Sequence, residues 1–167
     1  MALVTPDMDA TVRFYTGVLG MPLVATVMAG PMRHYFFEIG PQNTVAFFEI
    51  EGAETFAKGA GTRGDRAIQF DHLSFNVADE HGLDLLRKRL LAAGSEVTEI
   101  VNHRTMKSVY FSDPHGIALE ASYWVTDPTG REPNPEDREL FADPNPPSAV
   151  LELQAGGLTS VSTSRLV

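Results

Sequence analysis

Two residues suited to holding a metal ion stand in separate alternating stretches: His72 in "HLSFNV" and Glu120 in "IALEASYW". An imidazole nitrogen with a carboxylate oxygen is the donor set taken by Fe(II), Mn(II), Zn(II) or Ni(II). Strand side chains alternate between faces, so His72, Ser74 and Asn76 share one face while Leu73, Phe75 and Val77 take the other. In "SVYFS", Val109 and Phe111 suit the apolar side, which leaves Ser108, Tyr110 and Ser112 opposite. Glu120 shares its face with Ala118, Ser122 and Trp124. A lone strand histidine is ordinarily a satisfied core or surface group. A glutamate inside so apolar a run needs a partner, unless it sits at a sheet edge. The pair together favours a metal over either bland reading.

These residues need elements to position them, and the chain offers a pattern that occurs twice. A short apolar strand leads to Asp7, after which Met8, Val12, Tyr15 and Leu19 form a helical face stopped by Gly20. Strand-like "LVATVM", "RHYFFEI" and "NTVAFFEI" follow, separated by "AGP" and "GPQN" as turns. After the loop "EGAETFAKGAGTRGDRAIQ" the order restarts. "HLSFNV" is a strand, Asp79 caps a helix with Leu83, Leu86 and Leu90 inward, and Gly94 closes it. "EVTEIV", "KSVYFS", the turn "DPHG" and "IALEASYW" complete the second copy.

The fold expected is therefore α+β: two βαβββ modules, about 1–52 and 70–125, with helices outside and curved sheets enclosing a cup. Residues 1–125 form this domain, and 126–167 an irregular C-terminal extension. That extension holds six of the eleven prolines, and residues 127–143 carry six acidic against two basic groups. It reads as an extended strap with one helical turn near Glu136 to Phe141, and "AVLEL" can dock on the body or a second subunit.

The totals bound the function classes. A chain of 167 residues, 43% hydrophobic and 21% charged, has the composition of a soluble globular protein. No apolar run approaches the ~20 residues that span a bilayer, and no export signal is visible, so the cytoplasm is the expected location. Without cysteine there is no disulfide or thiolate chemistry. The net charge of -9 repels phosphate backbones and argues against nucleic acid as a partner.

The segments "VTPDMDATVRFYTGVLGM", "DHLSFNVADEHGLDLLRKRLLAAGSEV" and "VYFSDPHGIALEASYW" resemble the vicinal oxygen chelate superfamily, over residues 1 to about 125. That superfamily includes glyoxalase I, bleomycin- and fosfomycin-resistance proteins and type I extradiol dioxygenases. The last segment is similar to the family's ending, aromatic–x–DP–x–G–x–x–x–E, whose glutamate binds metal. Carried over by position, His72 and Glu120 match the family's ligands. The first module departs from the pattern. Aligning Asp7 with Asp79 sets the expected histidine one position ahead of Met1, so the protein begins earlier, another residue fills the place, or a ligand is lost. Matching "GPQN" to "DPHG" sets Phe47 opposite Glu120, while Glu49, one pleat further on, is a third metal ligand if the register slips.

The resemblance implies two chemistries. With Phe47 in the slot, a first-module histidine plus His72 and Glu120 makes the facial triad that leaves Fe(II) open to a catechol and dioxygen. With Glu49 as ligand, the site looks like glyoxalase I, where a metal stabilises an enediolate and a glutamate moves a proton. Tyr110, ten residues before Glu120, matches a tyrosine that extradiol dioxygenases place near the substrate oxygens. His103 stands near the family's histidine outside the ligand set, in a loop about two residues shorter, and would pass protons. Tyr35, Phe37 and Phe47 would line the same cup, with Asn76, and His34 would face the helix side or an interface. His81 and His115 read as solvated.

The expected function is thus a metal-dependent enzyme, foremost an extradiol-type dioxygenase cleaving an aromatic vicinal diol with Fe(II) and O2. Mn, Zn or Ni are alternative ions. The alternatives in function are a glyoxalase- or epimerase-like lyase or isomerase, and a bleomycin-resistance-like binding protein without catalysis. The partner is a small molecule, and the resemblance implies a homodimer.

Overall fold

Both helices of the repeat begin as the sequence suggests. Asp7 accepts a hydrogen bond from Ala10 N at 3.0 Å, and Asp79 accepts one from Gly82 N at 2.8 Å. In the computed structural model, which describes residues 1–62, 70–130 and 133–157, each cap follows the first strand of a four-stranded sheet. Part of the loop after the first module and the end of the C-terminal extension lie outside the described residues.

The first module comprises β1 (Ala2–Thr5), α1 (Met8–Val12), a π-helical turn (Arg13–Val18), β2 (Leu23–Ala29), β3 (Met32–Gly40) and β4 (Asn43–Glu49). The second comprises β5 (Leu73–Asn76), α2 (Glu80–Ala92), β6 (Val101–Asn102), β7 (Met106–Ser112) and β8 (Ala118–Trp124). The sheets share one topology, β1-β4-β3-β2 and β5-β8-β7-β6. In each, the first strand lies parallel beside the last and the other pairs are antiparallel. The α+β fold with two repeated modules is the one the sequence suggests. The stretch "EVTEIV" departs from it, forming only the two-residue β6 and a bridge from Val97 to Phe111.

One apolar core unites the helix-facing sides of both sheets. Leu83, Leu86 and Leu90 of α2 join Leu73, Val109, Phe111 and Leu119 there. From the first module come Tyr15, Phe37, Val45 and Phe47, all fully buried. Phe14 in the π-helical turn packs on Phe111, with ring centroids 6.5 Å apart. Consecutive Phe14 and Tyr15 of that turn are both buried in the core.

The pleat of the first sheet is opposite to the one expected. Tyr15 packs on Phe37 and Phe47 at centroid separations of 5.5 and 4.8 Å, so both phenylalanines are core residues and not cup walls. Tyr35 pairs with Phe47 and faces the same way. His34 takes the outer face, stacked on Phe48 at 3.6 Å. The register shift between Glu38 and Gly40 explains the error, since a slip of one residue turns every side chain over.

Residues from Val125 form a second unit. Phe141 N donates to Asp137 O at 2.8 Å, an i to i+4 bond that closes the single helical turn expected there. "AVLEL" belongs to α3 (Ser148–Gln154), a helix in place of an extended strap. No described helix is long and apolar enough to cross a membrane.

Candidate metal centre

Parallel pairing of β5 with β8 places Ser74 beside Glu120 and Asn76 beside Ser122, on the face away from the core. His72 precedes the strand on that same parity. Its Nε2 lies 3.0 Å from Glu120 Oε2, and its Nδ1 lies 2.7 Å from Asp71 Oδ2. The Glu120 side chain is 7% exposed and that of His72 25%. The carboxylate is thus sunk in the sheet while the imidazole still meets solvent.

Antiparallel pairing of β7 adds the next layer. Tyr110 pairs with Glu120, and Ser108 with Ser122. The Tyr110 hydroxyl meets His103 Nε2 at 2.9 Å, and its ring stands edge-on to His72 at a centroid distance of 6.0 Å. A tight turn presents His103: Arg104 adopts a φ of 73°, and Asn102 Oδ1 accepts from Arg104 N at 2.8 Å. His103, Tyr110, Glu120 and His72 therefore form a contiguous polar row, with Asn76 exposed on the same face as His72.

The charges follow from this packing. Burial alone would raise the Glu120 carboxyl, but Ser108, Ser74, His72 and Tyr110 around it outweigh that and hold it below the usual carboxylate range. Burial pulls His72 down, while Asp71 and Glu120 on either side lift it above its ordinary value. The Tyr110 phenol is raised, first by burial and then by the Glu120 charge. Asp71 is held well below its usual range, first by the Lys58 ammonium and then by His72.

The donors fit a small divalent ion. Two atoms 3.0 Å apart can both contact one ion at the ~2.1 Å bond lengths that nitrogen and oxygen ligands prefer. Ser108 lies close enough to Glu120 to favour its charge, yet its buried Oγ has no aligned hydrogen-bond partner. Such an orphaned hydroxyl beside a carboxylate marks a place where a further polar partner is wanted. Among the described residues no group of three histidine or acidic side chains gathers around one point.

The first module offers no matching pair. Ala2 pairs with Ala46 as Ser74 pairs with Glu120, so the slot mirrored by Glu120 holds Ala46, not Phe47. Glu49 does not approach His72: its Oε1 accepts from Met8 N at 2.9 Å, and its other oxygen pairs with Arg33. Glu49 thus fastens α1 to β4. The backbone bond from Met8, stronger than the opposing burial, and the Arg33 contact keep its carboxyl below the ordinary value. Tyr35, Phe37 and Phe47 lie on the other side of their sheet from the row of polar side chains. His115 is part-buried, with an unpartnered Nε2, where a solvated turn residue was expected.

Sequence reasoning missed Asp71 and Lys58. Asp71 could have been noticed as the acid directly preceding His72; Lys58 sits in a loop with no periodicity to announce it.

Comparison with known proteins agrees with this architecture. Residues 1–121 match the family described as Glyoxalase/Bleomycin resistance protein/Dioxygenase superfamily. No curated protein matches significantly. Among solved structures, a glyoxylase/bleomycin resistance protein/dioxygenase domain from Frankia sp. EAN1pec is 25% identical with a TM-score of 0.63, over 74% of this chain and 94% of that one. A putative dioxygenase from Bacillus subtilis is 26% identical with a TM-score of 0.58, over 74% of this chain but only 39% of that one. The fosfomycin resistance protein FosX from Listeria monocytogenes, solved with Mn(II) and sulfate, shares the fold at 15% identity and a TM-score of 0.54, over 73% of this chain and 87% of that one. With two βαβββ modules in place and the match spanning both, the chain belongs to the glyoxalase/bleomycin resistance protein/dioxygenase superfamily.

Proposed function

We propose that the chain is a metal-dependent enzyme acting on a small vicinal-oxygen substrate, and that its chemistry is extradiol cleavage of a catechol-like ring. The observation that carries this reading is the 3.0 Å approach of His72 Nε2 to Glu120 Oε2 beside the Tyr110–His103 pair. His72 and Glu120 would hold the ion, Fe(II) in this reading. When bound, such an ion would polarise a diol and supply the redox chemistry needed with dioxygen. Both atoms of O2 enter the product as the ring carbon–carbon bond beside the diol breaks, so no external reductant is consumed.

The chain's own residues supply orientation and proton handling. The Tyr110 hydroxyl is placed to donate a hydrogen bond to a substrate oxygen. His103, held against that hydroxyl at 2.9 Å, can take the proton a catechol loses. The low-lying Glu120 carboxyl stays charged and free to accept a cation. Asn76 stands at the rim of the same face as a further polar contact. The solved FosX with Mn(II) supports a divalent ion in this fold but not the choice of iron.

The test is oxygen uptake by protein purified without a histidine tag and loaded anaerobically with Fe(II). One O2 consumed per catechol is expected, with His103→Ala lowering kcat by about 10²–10⁴-fold. No uptake with any catechol, together with turnover of a hemithioacetal on Ni(II) or Zn(II), would favour the lyase chemistry instead. Ala46 in the slot mirrored by Glu120 favours a second reading, a binding protein that sequesters an apolar drug without catalysis. Tight binding of a planar drug by protein that takes up no metal would support it.

A further inference from the structure

Behind the imidazole of His72 lies a chain of contacts that reaches into the loop joining the two modules. Asp71 Oδ2 meets His72 Nδ1 at 2.7 Å and accepts from Gly61 N at 2.6 Å. Asp71 Oδ1 meets Lys58 Nζ at 2.5 Å. Lys58 is buried to 8% side-chain exposure, unusual for a lysine, and its ammonium also donates to the carbonyl of Gly59 at 3.0 Å. Both carboxylate oxygens of Asp71 are thus engaged, and the direction in which they face the imidazole is fixed from the loop.

An acceptor at Nδ1 keeps that nitrogen protonated and leaves Nε2 to meet an ion, and it also sets the plane of the ring. Leaving a buried ammonium without its carboxylate is costly, so Lys58 and Asp71 hold each other in place. Gly116 contributes from β8's side. A Cβ there would fall 2.8 Å from Phe56 O and 2.9 Å from Ala57 Cα, so the loop carrying Lys58 runs hard against this turn. Phe56 and Ala57 are therefore packed against this turn.

We propose that Lys58 and Asp71 are positioning residues that fix the His72 ring, so that the segment carrying Lys58 and Gly61 controls how well the second module holds its ion. This rests on reading His72 as a metal ligand. Lys58 touches neither the imidazole nor Glu120 in any contact described, and so acts through Asp71.

Two measurements decide it, one of them independent of the metal reading. In metal-free protein, the His72 Nδ1–H proton should give a slowly exchanging, downfield NMR resonance, lost in Asp71→Ala and weakened in Lys58→Met. In Co(II) titrations followed by calorimetry, Asp71→Ala and Lys58→Met should each weaken binding by about 10–100-fold. The double variant, which leaves no unpaired ammonium and so also controls for misfolding, should be no weaker than Asp71→Ala alone. Co(II) affinity of Asp71→Ala within twofold of the parent, or losses that simply add in the double variant, would overturn the proposal. An unchanged affinity in His72→Ala would instead sink the metal reading, and the resonance alone would then decide whether Asp71 orients the ring.

Discussion

At the scale of single residues, burial and charge decide which polar groups are structural and which are left for chemistry. Asp113 is structural: only 5% exposed, its Oδ1 accepts from His115 N and Ile117 N, both at 2.9 Å. Its Oδ2 meets the buried Tyr15 hydroxyl at 3.3 Å. Burial raises the Asp113 carboxyl above its ordinary value despite those backbone bonds. A carboxyl with a raised folded pKa favours the fold while protonated. Its contribution is therefore whole below its unfolded pKa of about 3.8 and is lost as pH rises through the higher folded value. Asp113→Asn removes that titration while keeping an acceptor for the turn. Denaturant unfolding of parent and variant across this range should show the parent losing ground as pH rises, then a constant gap. A gap independent of pH throughout would contradict the assignment. Glu120, by contrast, is buried yet kept charged by the polar groups around it.

At the scale of elements, register outweighs residue type. The approach of His72 to Glu120 was legible because β5 and β8 are short, alternate cleanly and pair in the register that alternation demands. Phe47 and Glu49 were misassigned because the match of one turn to another was out by one residue, and a strand rich in phenylalanine gives no alternation to correct it. The π-helical turn was equally invisible, since Phe14 and Tyr15 differ from a regular helix only in the phase of their burial. Two substitutions test the elements that position the site. Leu90→Ala, at a fully buried position of α2, should cost about 2–5 kcal/mol in urea denaturation, as cavities in packed cores do. Gly116→Ala meets both a φ of +86° and the Phe56 carbonyl. It should destabilise by at least about 1–2 kcal/mol, the cost of the left-handed backbone alone. It should also weaken Co(II) binding by displacing the 53–62 segment. Unchanged stability would mean that segment does not press on the turn.

At the scale of the whole molecule, duplication supplied two sheets of one topology but only one of them carries the donor pair. The sequence revealed the duplication because caps, glycine stops and strand runs recur in order, each set by local chemistry. It did not reveal the asymmetry, because which residue mirrors Glu120 depends on pairing between distant strands, and Ala46 carries no signature of its own. The family resemblance implies a homodimer. Sedimentation equilibrium should give a mass near twice 18.2 kDa. A monomer at micromolar concentration would contradict the homodimer. One ion between the imidazole at 72 and the carboxylate at 120 is what the proposed chemistry requires. This placement is tested most directly by a crystal structure grown with Mn(II) and phased to show anomalous scattering. A peak within about 2.0–2.3 Å of both His72 Nε2 and a Glu120 oxygen is predicted. A peak elsewhere, or none at saturating Mn(II) with His72 and Glu120 still bonded to each other, would contradict it.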